Sequence, residues 1–509
     1  MLPRTDKIKP LQELAIITQE CRSQKKKIVH CHGVFDLLHI GHIRYLEQAR
    51  QMGDVLVVTI TSDRFVDKGP HRPAFSDAMR SEAVASLSCV DYVAVNEWPT
   101  AEETLRLLRP DVYVKGAEFK DIGSDMTGRI DREAQVVQEI GAALSFTDGI
   151  VFSSTNLINR YLSNLPKEID EYLELFRRRY QPENIMQVID SMSPLRALVV
   201  GDTILDDYHF CEVIGKSSKD PTLAAKHLSS DMFAGGVLAV ANHVANFVKE
   251  VTLVTMLGEV SGFEEFIRSQ LHPNVSPHFF YQPNAPTIIK RRFIDGYSIN
   301  KLFEVYVMDD SGLPPDLDQE ACLWLSGQLR DYDLVIAADY GHGVISKQMV
   351  ETMVTQAPFL AVNTQANAGN RGFHTVTRYP KADYACLAEH ELRLERRSLR
   401  EDVRILMNEL VKQLGCSQLV VTRGRSGCSL CNDKGHFLQV PAFAQNIVDR
   451  VGAGDAFFAV TSLAAVQSVP AEVIGFIGNV VGSLAVEGLG NKKATDKLSV
   501  KKYITSLLK

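Results

Sequence analysis

The sequence predicts an α/β protein made of two domains joined by a helical segment. Short apolar runs, such as residues 54–60 and 196–200, alternate with helix-length segments, which is typical of parallel sheets covered by helices. A chain of 509 residues is also too long for one hydrophobic core. Residues 166–193 are charged with a helical period that Pro182 interrupts. We therefore predict domains over residues 1–165 and 194–509, with a linker of two helices over 166–193.

Composition narrows the class of protein and of partner. With 45% apolar and 23% charged residues, the chain resembles a globular protein. A formal net charge of -7 argues against nucleic acid or an anionic membrane as the main partner. The nine cysteines indicate neither a zinc site nor a disulfide framework, and no apolar run is long enough to span a membrane. We expect a cytoplasmic protein that acts on small molecules.

The first domain is organised around residues 32–50, where a buried strand runs through a short turn into an amphipathic helix. His39, Gly41 and His42 fall at the start of that helix. A helix N-terminus favours anions, and Gly41 lets a phosphate approach the backbone. Two imidazoles there could stabilise charge that develops on the oxygens of an attacked phosphate. We therefore predict a polyphosphate site, with His39 and His42 as catalytic residues.

Gly33, Phe35 and Asp36 precede this H-x-G-H sequence in a G-x-F-D pattern. The combination resembles the nucleotidyltransferase superfamily that includes cytidylyltransferases, and more closely the adenylyltransferase half of the bifunctional heptose kinase/adenylyltransferases. The resemblance implies a Rossmann-like domain that transfers a nucleotidyl group from ATP or CTP to a sugar phosphate and releases pyrophosphate. It also implies that Gly33, Phe35, Asp36 and Gly41 bind the nucleotide.

Three further segments resemble the same family. Lys68 and Arg72 fall where that family has a basic loop before R-P, and Lys115 falls in a segment similar to V-K-G-G, which implies a catalytic lysine. The third segment resembles the S-T-T-N signature and opens a predicted helix, where hydroxyl groups both cap the helix and bind phosphate. Its nucleotide-binding candidates are Ser153, Ser154 and Thr155.

The second domain repeats one arrangement, in which a carboxylate or glycine follows an apolar strand. A-D-Y-G follows the strand ending near Ala338, and G-A-G-D at residues 452–455 opens a helix. The order of these motifs resembles the ribokinase-type, or PfkB, carbohydrate kinases. That resemblance implies a ribokinase-like α/β domain that uses ATP and Mg²⁺ to phosphorylate a sugar or sugar phosphate. The implied roles are substrate binding by Asp202, Asp206, Gly235, Gly236 and Asp339; nucleotide binding by Thr422, Gly424, Gly452, Ala453 and Gly454; proton acceptance by Asp455; and support of magnesium by Glu389.

Some positions depart from the kinase pattern. Ala239 replaces an Asn that faces the sugar in that family, Cys386 replaces the Asn of N-x-x-E, and Gln365 replaces the Lys of D-P-K. The domain order is also reversed, because the transferase leads here. Two interpretations follow, an active kinase or a kinase-fold module for binding or dimerisation. In either case we expect a homo-oligomer, and the sugar and the choice of ATP or CTP stay open.

Overall fold

The computed structural model describes residues 4–66, 72–117, 129–148, 165–260, 262–309, 311–444, 446–492 and 494–508. Contacts divide the chain into two compact units, Met1–Leu165 with Lys502–Lys509, and Pro166–Lys501. Each unit contains a largely parallel sheet with helices between its strands. The predicted α/β class is therefore confirmed.

The first unit contains a five-stranded sheet in the order β3-β2-β1-β4-β5, in which all neighbours are parallel. Its central strands are the near-continuous apolar runs of the sequence, and they are buried. The strands are β1 Ile28–Gly33, β2 Val55–Thr61, β3 Tyr92–Asn96, β4 Val112–Lys115 and β5 Ala143–Phe146. The described helices are α1 Leu11–Ser23, α2 Ile40–Arg50, α3 Asp77–Ala85, α4 Glu102–Leu108 and α5 Arg129–Glu139.

The second unit contains two sheets. Its strands are β6 Arg196–Gly201, β7 Thr203–Lys216, β8 Leu223–Gly236, β9 Glu250–Gly258, β10 Val275–Gln282, β11 Ile289–Asp295, β12 Lys301–Val307, β13 Leu334–Asp339, β14 Leu360–Thr364, β15 Tyr384–Ala388, β16 Gln418–Thr422, β17 Cys428–Asn432 and β18 Phe437–Val440. The large sheet has the order β10-β9-β6-β13-β14-β15-β16-β17-β18 and is parallel except at β17 and β18. Its parallel strands bring several carboxyl ends to one edge, where open α/β sheets bind ligands.

Helices of the second unit cover the large sheet. They are α6 Lys167–Arg179, α7 Pro182–Asp190, α8 Val237–Ala245, α9 Glu264–Gln270, α10 Pro315–Gln328, α11 Lys347–Gln356, α12 Glu389–Glu395, α13 Val403–Leu414, α14 Ala453–Ala465 and α15 Ala471–Ala485. The last described helix is α16, Lys497–Leu508. Short 3-10 turns occur at Arg4–Lys7, Asp63–Phe65, Leu329–Asp331, Val376–Arg378 and Gly424–Ser426.

The sequence did not predict the smaller sheet of the second unit, which has the order β12-β11-β7-β8. We call it the small sheet. Its strands β7 and β8 form a long antiparallel hairpin whose first and last residues are buried and whose middle is exposed. Burial changes from one end of each strand to the other. The sequence of these strands therefore lacks the regular alternation of apolar and polar residues by which a half-buried strand is recognised.

The two helices predicted for the linker segment are present as α6 and α7, and contacts group them with the second unit. The ring of Phe176 in α6 stacks on that of Phe476 in α15, with 4.3 Å between centroids. Tyr172 lies 6.1 Å from Phe443 by the same measure. The apolar side of α6 is therefore part of the core of the second unit.

No helix in the described part of the chain is long and apolar enough to cross a membrane. All nine cysteines are free thiols. Cys428 and Cys431 have a C-x-x-C spacing but lie in the same strand, β17, where residues three apart point to opposite faces of the sheet. These two thiols therefore do not converge on one site.

Replacing Phe176 by Ala tests the packing of α6. Because the ring is fully buried, we expect Phe176→Ala to lower the free energy of unfolding by about 3 to 5 kcal/mol, as measured by urea denaturation. Leu175→Ala is the matched control, since its side chain is 50% exposed and its loss should change stability by roughly 0.5 kcal/mol or less. Equal effects of the two substitutions would show that α6 does not pack on this core.

Candidate active sites

The H-x-G-H sequence forms the start of α2, as the sequence predicted. His39 is the N-cap residue, and its Nδ1 accepts a hydrogen bond from the backbone N–H of Gly41 at 3.1 Å. The rings of His39 and His42 stack with 4.0 Å between centroids. Burial lowers the pKa of His39, so its imidazole is neutral near pH 7, and acceptance at Nδ1 leaves the ring proton on Nε2. The pair can therefore offer a neutral N–H donor at a helix N-terminus.

The turn between β1 and α2 brings the G-x-F-D residues against this pair. Phe35 has a positive φ of 49° and is buried, and its ring meets that of His42 edge-on at 5.3 Å. A Cβ on Gly33 would lie 3.0 Å from the ring of Phe35, so only glycine leaves the ring this position without a shift. Gly33, Phe35 and His42 thus pack as one group.

Asp36 anchors the loop that follows β2. Its buried carboxylate accepts from the backbone N–H groups of Ala74 at 2.6 Å and Phe75 at 3.3 Å, and from Nη1 of Arg72 at 3.1 Å. Arg80, which we did not predict, is fully buried and donates to the backbone oxygens of Phe75 and Thr61 at 2.9 and 2.8 Å. Asp36 and Arg72 therefore pair with each other and hold the loop at Ala74. Their nucleotide-binding roles stay predictions.

Lys115 ends β4, at the same edge of the sheet. Its ammonium group lies 2.7 Å from the carboxylate of Glu133, which also accepts from the hydroxyl of Tyr113 at 3.1 Å. Both Lys115 and Glu133 are buried. Lys68, Ser153, Ser154 and Thr155 lie outside the described residues, and so does the helix predicted to start near Ser154.

In the second unit, the G-A-G-D sequence forms the first turn of α14. Gly452 is its N-cap residue with a φ of 82°, and a Cβ on it would lie 2.0 Å from Oδ1 of Asn491, so glycine is required. The N–H of Ala453 donates to the backbone oxygen of Arg450 at 3.4 Å. A Cβ on Gly454 would face open space, so a ligand can approach the backbone there. This turn can bind an anion through its backbone donors.

Asp455 lies in the same turn, and one of its carboxylate oxygens accepts from the hydroxyl of Tyr340 at 2.8 Å. The loss of surrounding water raises the pKa of Asp455 to about 6, and the carboxylate of Asp206 acts in the same direction, whereas Lys290 opposes it. A carboxylate with a pKa slightly below 7 is ionised at neutral pH and is a better base than an ordinary Asp.

Asp449 connects this turn to the small sheet. Its carboxylate pairs with the ammonium group of Lys301 in β12 at 3.0 Å and accepts from the hydroxyl of Tyr208 in β7 at 3.0 Å. It also accepts from the backbone N–H groups of Val451 and Gly490 at 3.2 and 3.1 Å. One carboxylate therefore holds two strands of the small sheet beside the anion-binding turn.

Asp206 lies next to Gly235, and Gly236 lies next to Asp202. A Cβ on Gly235 would come within 2.2 Å of Oδ2 of Asp206, and one on Gly236 within 2.5 Å of the backbone oxygen of Asp202. Asp206 also pairs with Arg292 and accepts from Nδ2 of Asn491 at 3.2 Å. We did not predict Asn491 or Arg292, although basic residues within the apolar alternation of β11 were a signal.

The carboxylates of Asp202 and Asp339 make internal hydrogen bonds. Asp202 is buried and accepts from the backbone N–H groups of Tyr340 at 2.9 Å, Val344 at 3.1 Å and His342 at 3.5 Å. Asp339 accepts from Nε2 of His374 at 2.7 Å and from the hydroxyl of Tyr379 at 2.8 Å, and it pairs with Arg378. These bonds build the loop after β13.

The two carboxylates differ in pKa. Burial, with the neighbouring Asp339 carboxylate, raises the pKa of Asp202. Burial also acts to raise the pKa of Asp339, but the hydrogen bond from His374 and the charge of Arg378 outweigh it, so that pKa is lowered. The sugar-binding roles of Asp202 and Asp339 stay predictions.

Glu389, the predicted support for magnesium, is the first residue of α12. One carboxylate oxygen accepts from Nε of Arg423 at 2.9 Å, and the other from Nη2 of Arg393 at 2.7 Å. Although partial burial acts the other way, these two guanidinium groups lower the pKa of Glu389. Cys386, in the family's Asn position, is buried. A carboxylate paired with a guanidinium group on each oxygen does not fit a magnesium site.

Thr422 and Gly424 flank Arg423 at the end of β16. The hydroxyl of Thr422 donates to the backbone oxygen of Leu387 at 3.4 Å, and Gly424 has a φ of 56°. Arg393, Arg400, Arg404 and Arg423 line an open pocket of about 560 Å³ at this edge, together with Phe437. Glu401 and Asp402 line the same pocket, so basic and acidic residues both surround the predicted nucleotide edge.

A pfkB family carbohydrate kinase profile matches residues 195–497, which is more than half of the chain. The chain belongs to the pfkB carbohydrate kinase family. A cytidylyltransferase-like profile matches residues 30–160. The predicted enzyme, with a nucleotidyltransferase domain followed by a PfkB kinase domain, is thus confirmed at the level of its domains.

Curated relatives resemble the N-terminal part of this PfkB family member. The Bifunctional protein HldE of Nitratiruptor sp. is 38% identical over 133 residues, which is 25% of this chain and 29% of the relative. HldE of Syntrophotalea carbinolica is 36% identical over 165 residues, or 31% of each chain. The chain thus matches only about three tenths of the length of these relatives.

Solved structures share the fold of the second unit. A mutant of phosphofructokinase-2 from Escherichia coli covers 62% of this chain with all of its own length, at a TM-score of 0.51 and 16% identity. The tetrameric inhibited form of the same enzyme gives a TM-score of 0.50, also at 16% identity and with the same coverage. At this identity the similarity establishes the ribokinase-like fold of the kinase domain.

The raised pKa of Asp455 predicts that this residue costs the kinase domain stability. A carboxyl whose folded pKa is about 6 binds its proton more tightly folded than unfolded, so the cost appears as pH rises above about 4 and is complete above about 6. We expect Asp455→Asn to raise the free energy of unfolding by about 3 kcal/mol at pH 7 and to change it little at pH 4.

Asp449→Asn is the matched control within the same motif. Burial alone would raise the pKa of Asp449, but the hydrogen bond and ion pair with Lys301 have the larger effect. The pKa of Asp449 is therefore lowered. This substitution should therefore destabilise the protein, and more at pH 7 than at pH 4. A loss of stability at pH 7 with Asp455→Asn would contradict the assigned pKa direction.

Proposed function

We propose that the protein is a bifunctional sugar-activating enzyme. Its kinase domain phosphorylates a sugar or sugar phosphate with ATP, and its transferase domain couples a sugar phosphate to a nucleoside triphosphate with release of pyrophosphate. The observation that carries the proposal is the presence, in one chain, of the stacked His39 and His42 pair and of Asp455 at the anion-binding turn of a PfkB domain. The two reactions would then be successive steps in making a nucleotide-activated sugar.

In the transferase reaction, an oxygen of the sugar phosphate attacks the α-phosphorus of the nucleotide, and the bond to pyrophosphate breaks. Negative charge grows on the oxygens around that phosphorus. The Nε2–H of His39 and the imidazole of His42, at the N-terminus of α2, supply donors for this charge. The neutral imidazole of His39 acts here by donating a hydrogen bond and need not gain a proton.

In the kinase reaction, Asp455 accepts the proton of the sugar hydroxyl. The oxygen of that hydroxyl attacks the γ-phosphorus of ATP, and ADP leaves. The hydroxyl of Tyr340 holds one carboxylate oxygen of Asp455, so the other is directed to the substrate. The backbone donors of the α14 turn hold the transferred phosphoryl group. Glu389, whose carboxylate is paired with two guanidinium groups, takes no part in this step.

Resemblance of the transferase domain favours ADP-heptose-like chemistry, while CTP and a CDP-linked product stay open. The decisive experiment incubates the full chain with each of the four nucleoside triphosphates and a panel of sugar phosphates, and identifies products by mass spectrometry. A nucleotide-linked sugar with equimolar pyrophosphate supports the proposal. Absence of any such product across the panel would contradict it.

A second candidate function follows from the region around Glu389. Glu389 is neutralised by Arg393 and Arg423, and the substitutions at Ala239 and Cys386 remove polar groups from the substrate and nucleotide edges. Under this alternative, the PfkB domain binds a ligand or dimerises without catalysis. An assay of ATP consumption in the presence of sugars separates the two candidates. Consumption by the wild type that is lost in Asp455→Asn supports an active kinase, and no consumption by the wild type supports the binding module.

We also propose a homo-oligomer. The tetrameric solved relative supports this, and the small sheet exposes apolar side chains, among them Phe303 at 51% and Leu228 at 53%. Exposed apolar groups on one sheet suit self-association through a copy of the same surface.

The first functional prediction concerns the two imidazoles. His39→Ala and His42→Ala should each lower the rate of pyrophosphate release by at least about 10²-fold, the usual effect of removing one oriented donor to a developing anion. Phosphorylation of the sugar should persist, which provides an internal control for folding. Near-normal pyrophosphate release by both variants would refute their assigned role.

The second functional prediction concerns the proposed base. Asp455→Asn keeps the shape of the side chain and can still accept from Tyr340, so the variant should bind ATP normally but lose about 10²-fold or more in phosphoryl transfer. Pyrophosphate release by the transferase domain should not change. If ATP consumption is equal in the variant and the wild type, Asp455 is not the base.

A further inference from the structure

A buried chain of hydrogen bonds joins β1 to β2 beneath the predicted transferase site. Nε2 of His30 lies 2.8 Å from Oγ1 of Thr59, which lies 2.9 Å from Nδ1 of His32. Nε2 of His32 in turn lies 3.3 Å from Oγ1 of Thr61. His30 and Thr59 have no exposed surface. Neither histidine belongs to the motifs that implied a nucleotidyltransferase.

The protons in this chain can be placed by counting. The single hydroxyl proton of Thr59 can go to only one of the two imidazoles. Nδ1 of His30 is buried and has no hydrogen-bond partner among the described residues. If Thr59 donated to His30, the ring proton of His30 would sit on that orphan nitrogen. A buried N–H without an acceptor costs more than a bare ring nitrogen, so His30 donates from Nε2 instead.

The remaining protons follow from this choice. The hydroxyl of Thr59 has no other hydrogen-bond partner within the part of the chain that the structure describes, so its proton goes to Nδ1 of His32. His32 is then a neutral imidazole with its proton on Nε2, directed at Thr61. In this arrangement the ring proton of His30 and the hydroxyl proton of Thr59 both have acceptors.

His32 lies where a ligand of the transferase domain would be. It comes directly before Gly33 at the carboxyl end of β1, and its ring runs along β2 from Thr59 toward Thr61, the last residue of that strand. The register that pairs His30 with Tyr113 puts Lys115 of β4 beside His32. The donor therefore points to the edge of the sheet at which β1, β2 and β4 end.

We propose that His32 binds substrate in the transferase site, donating a hydrogen bond from Nε2 to a phosphate oxygen, and that Thr59 and His30 are positioning residues that fix its tautomer. The 3.3 Å distance between Nε2 of His32 and Oγ1 of Thr61 is the longest in this series of hydrogen bonds. An anionic oxygen is a stronger acceptor than a hydroxyl. A neutral donor also avoids adding a second positive charge next to Lys115. This inference rests on the proposed transferase activity for its kinetic consequences only.

The tautomer is tested on the full chain labelled with ¹⁵N-histidine, by long-range proton–nitrogen correlation spectra at pH 7.5, with His32 assigned from the spectrum of His32→Asn. We expect a neutral His32 with its proton on Nε2, and a shift of that nitrogen when ATP, CTP, inorganic pyrophosphate or glucose 1-phosphate is added. An Nδ1–H tautomer, an imidazolium, or no shift with any of the four overturns the proposal, even if the protein proves to lack transferase activity.

Steady-state kinetics then identify the phosphate. His32→Leu should raise the KM of one substrate by about 10- to 100-fold, the nucleoside triphosphate or the sugar phosphate, whichever His32 contacts. His32→Asn keeps an N–H donor and should recover most of this loss. Thr59→Val should raise the same KM less, because the tautomer is then no longer fixed.

Thr104→Val is the matched control, since it removes another buried hydroxyl, which bonds to Asn96 in the same unit. It should lower stability without changing either KM. If His32→Leu leaves both KM values unchanged, or if Thr104→Val raises the same KM as Thr59→Val, the effect is structural and the proposal fails.

Discussion

The kinase site depends on one buried carboxylate that is not at the reacting centre. Asp202 accepts three backbone hydrogen bonds from the loop after β13, and these bonds fix the conformation in which Tyr340 reaches Asp455. A buried carboxylate is costly unless such donors surround it, so loop and carboxylate stabilise each other. The proposed base is thus held by Tyr340, whose loop is in turn fixed by Asp202.

In the transferase unit, too, the motif side chains fix the local backbone. His39 caps α2 with one ring nitrogen, while Asp36 uses its carboxylate to hold the loop at Ala74 and Phe75. Side chains that a motif marks as functional therefore do much of the local folding as well. This dual use explains why the motif residues must occur together, since each depends on a neighbour for its position.

The sequence was sufficient for what local patterns encode. Buried parallel strands such as β1 and β6 are continuous apolar runs, and the helix starts at His39 and Gly452 carry their own caps, so these elements could be predicted within a few residues. The small sheet could not, because its strands change from buried to exposed along their length. Pairings between distant residues were also missed: Arg423 with Glu389, and Asn491 with Asp206, depend on tertiary contacts that leave no local signal.

Asp449 has a consequence for how ligands influence each other. Its carboxylate is shared between the small sheet, through Lys301 and Tyr208, and the backbone of the anion-binding turn, through Val451. A ligand that displaces the small sheet must therefore disturb the turn as well. Thermodynamic linkage then requires reciprocity: whatever factor a ligand at the small sheet adds to the affinity of the turn for an anion, the anion adds to the affinity for that ligand. Asp449 therefore links the small sheet to the turn through one side chain.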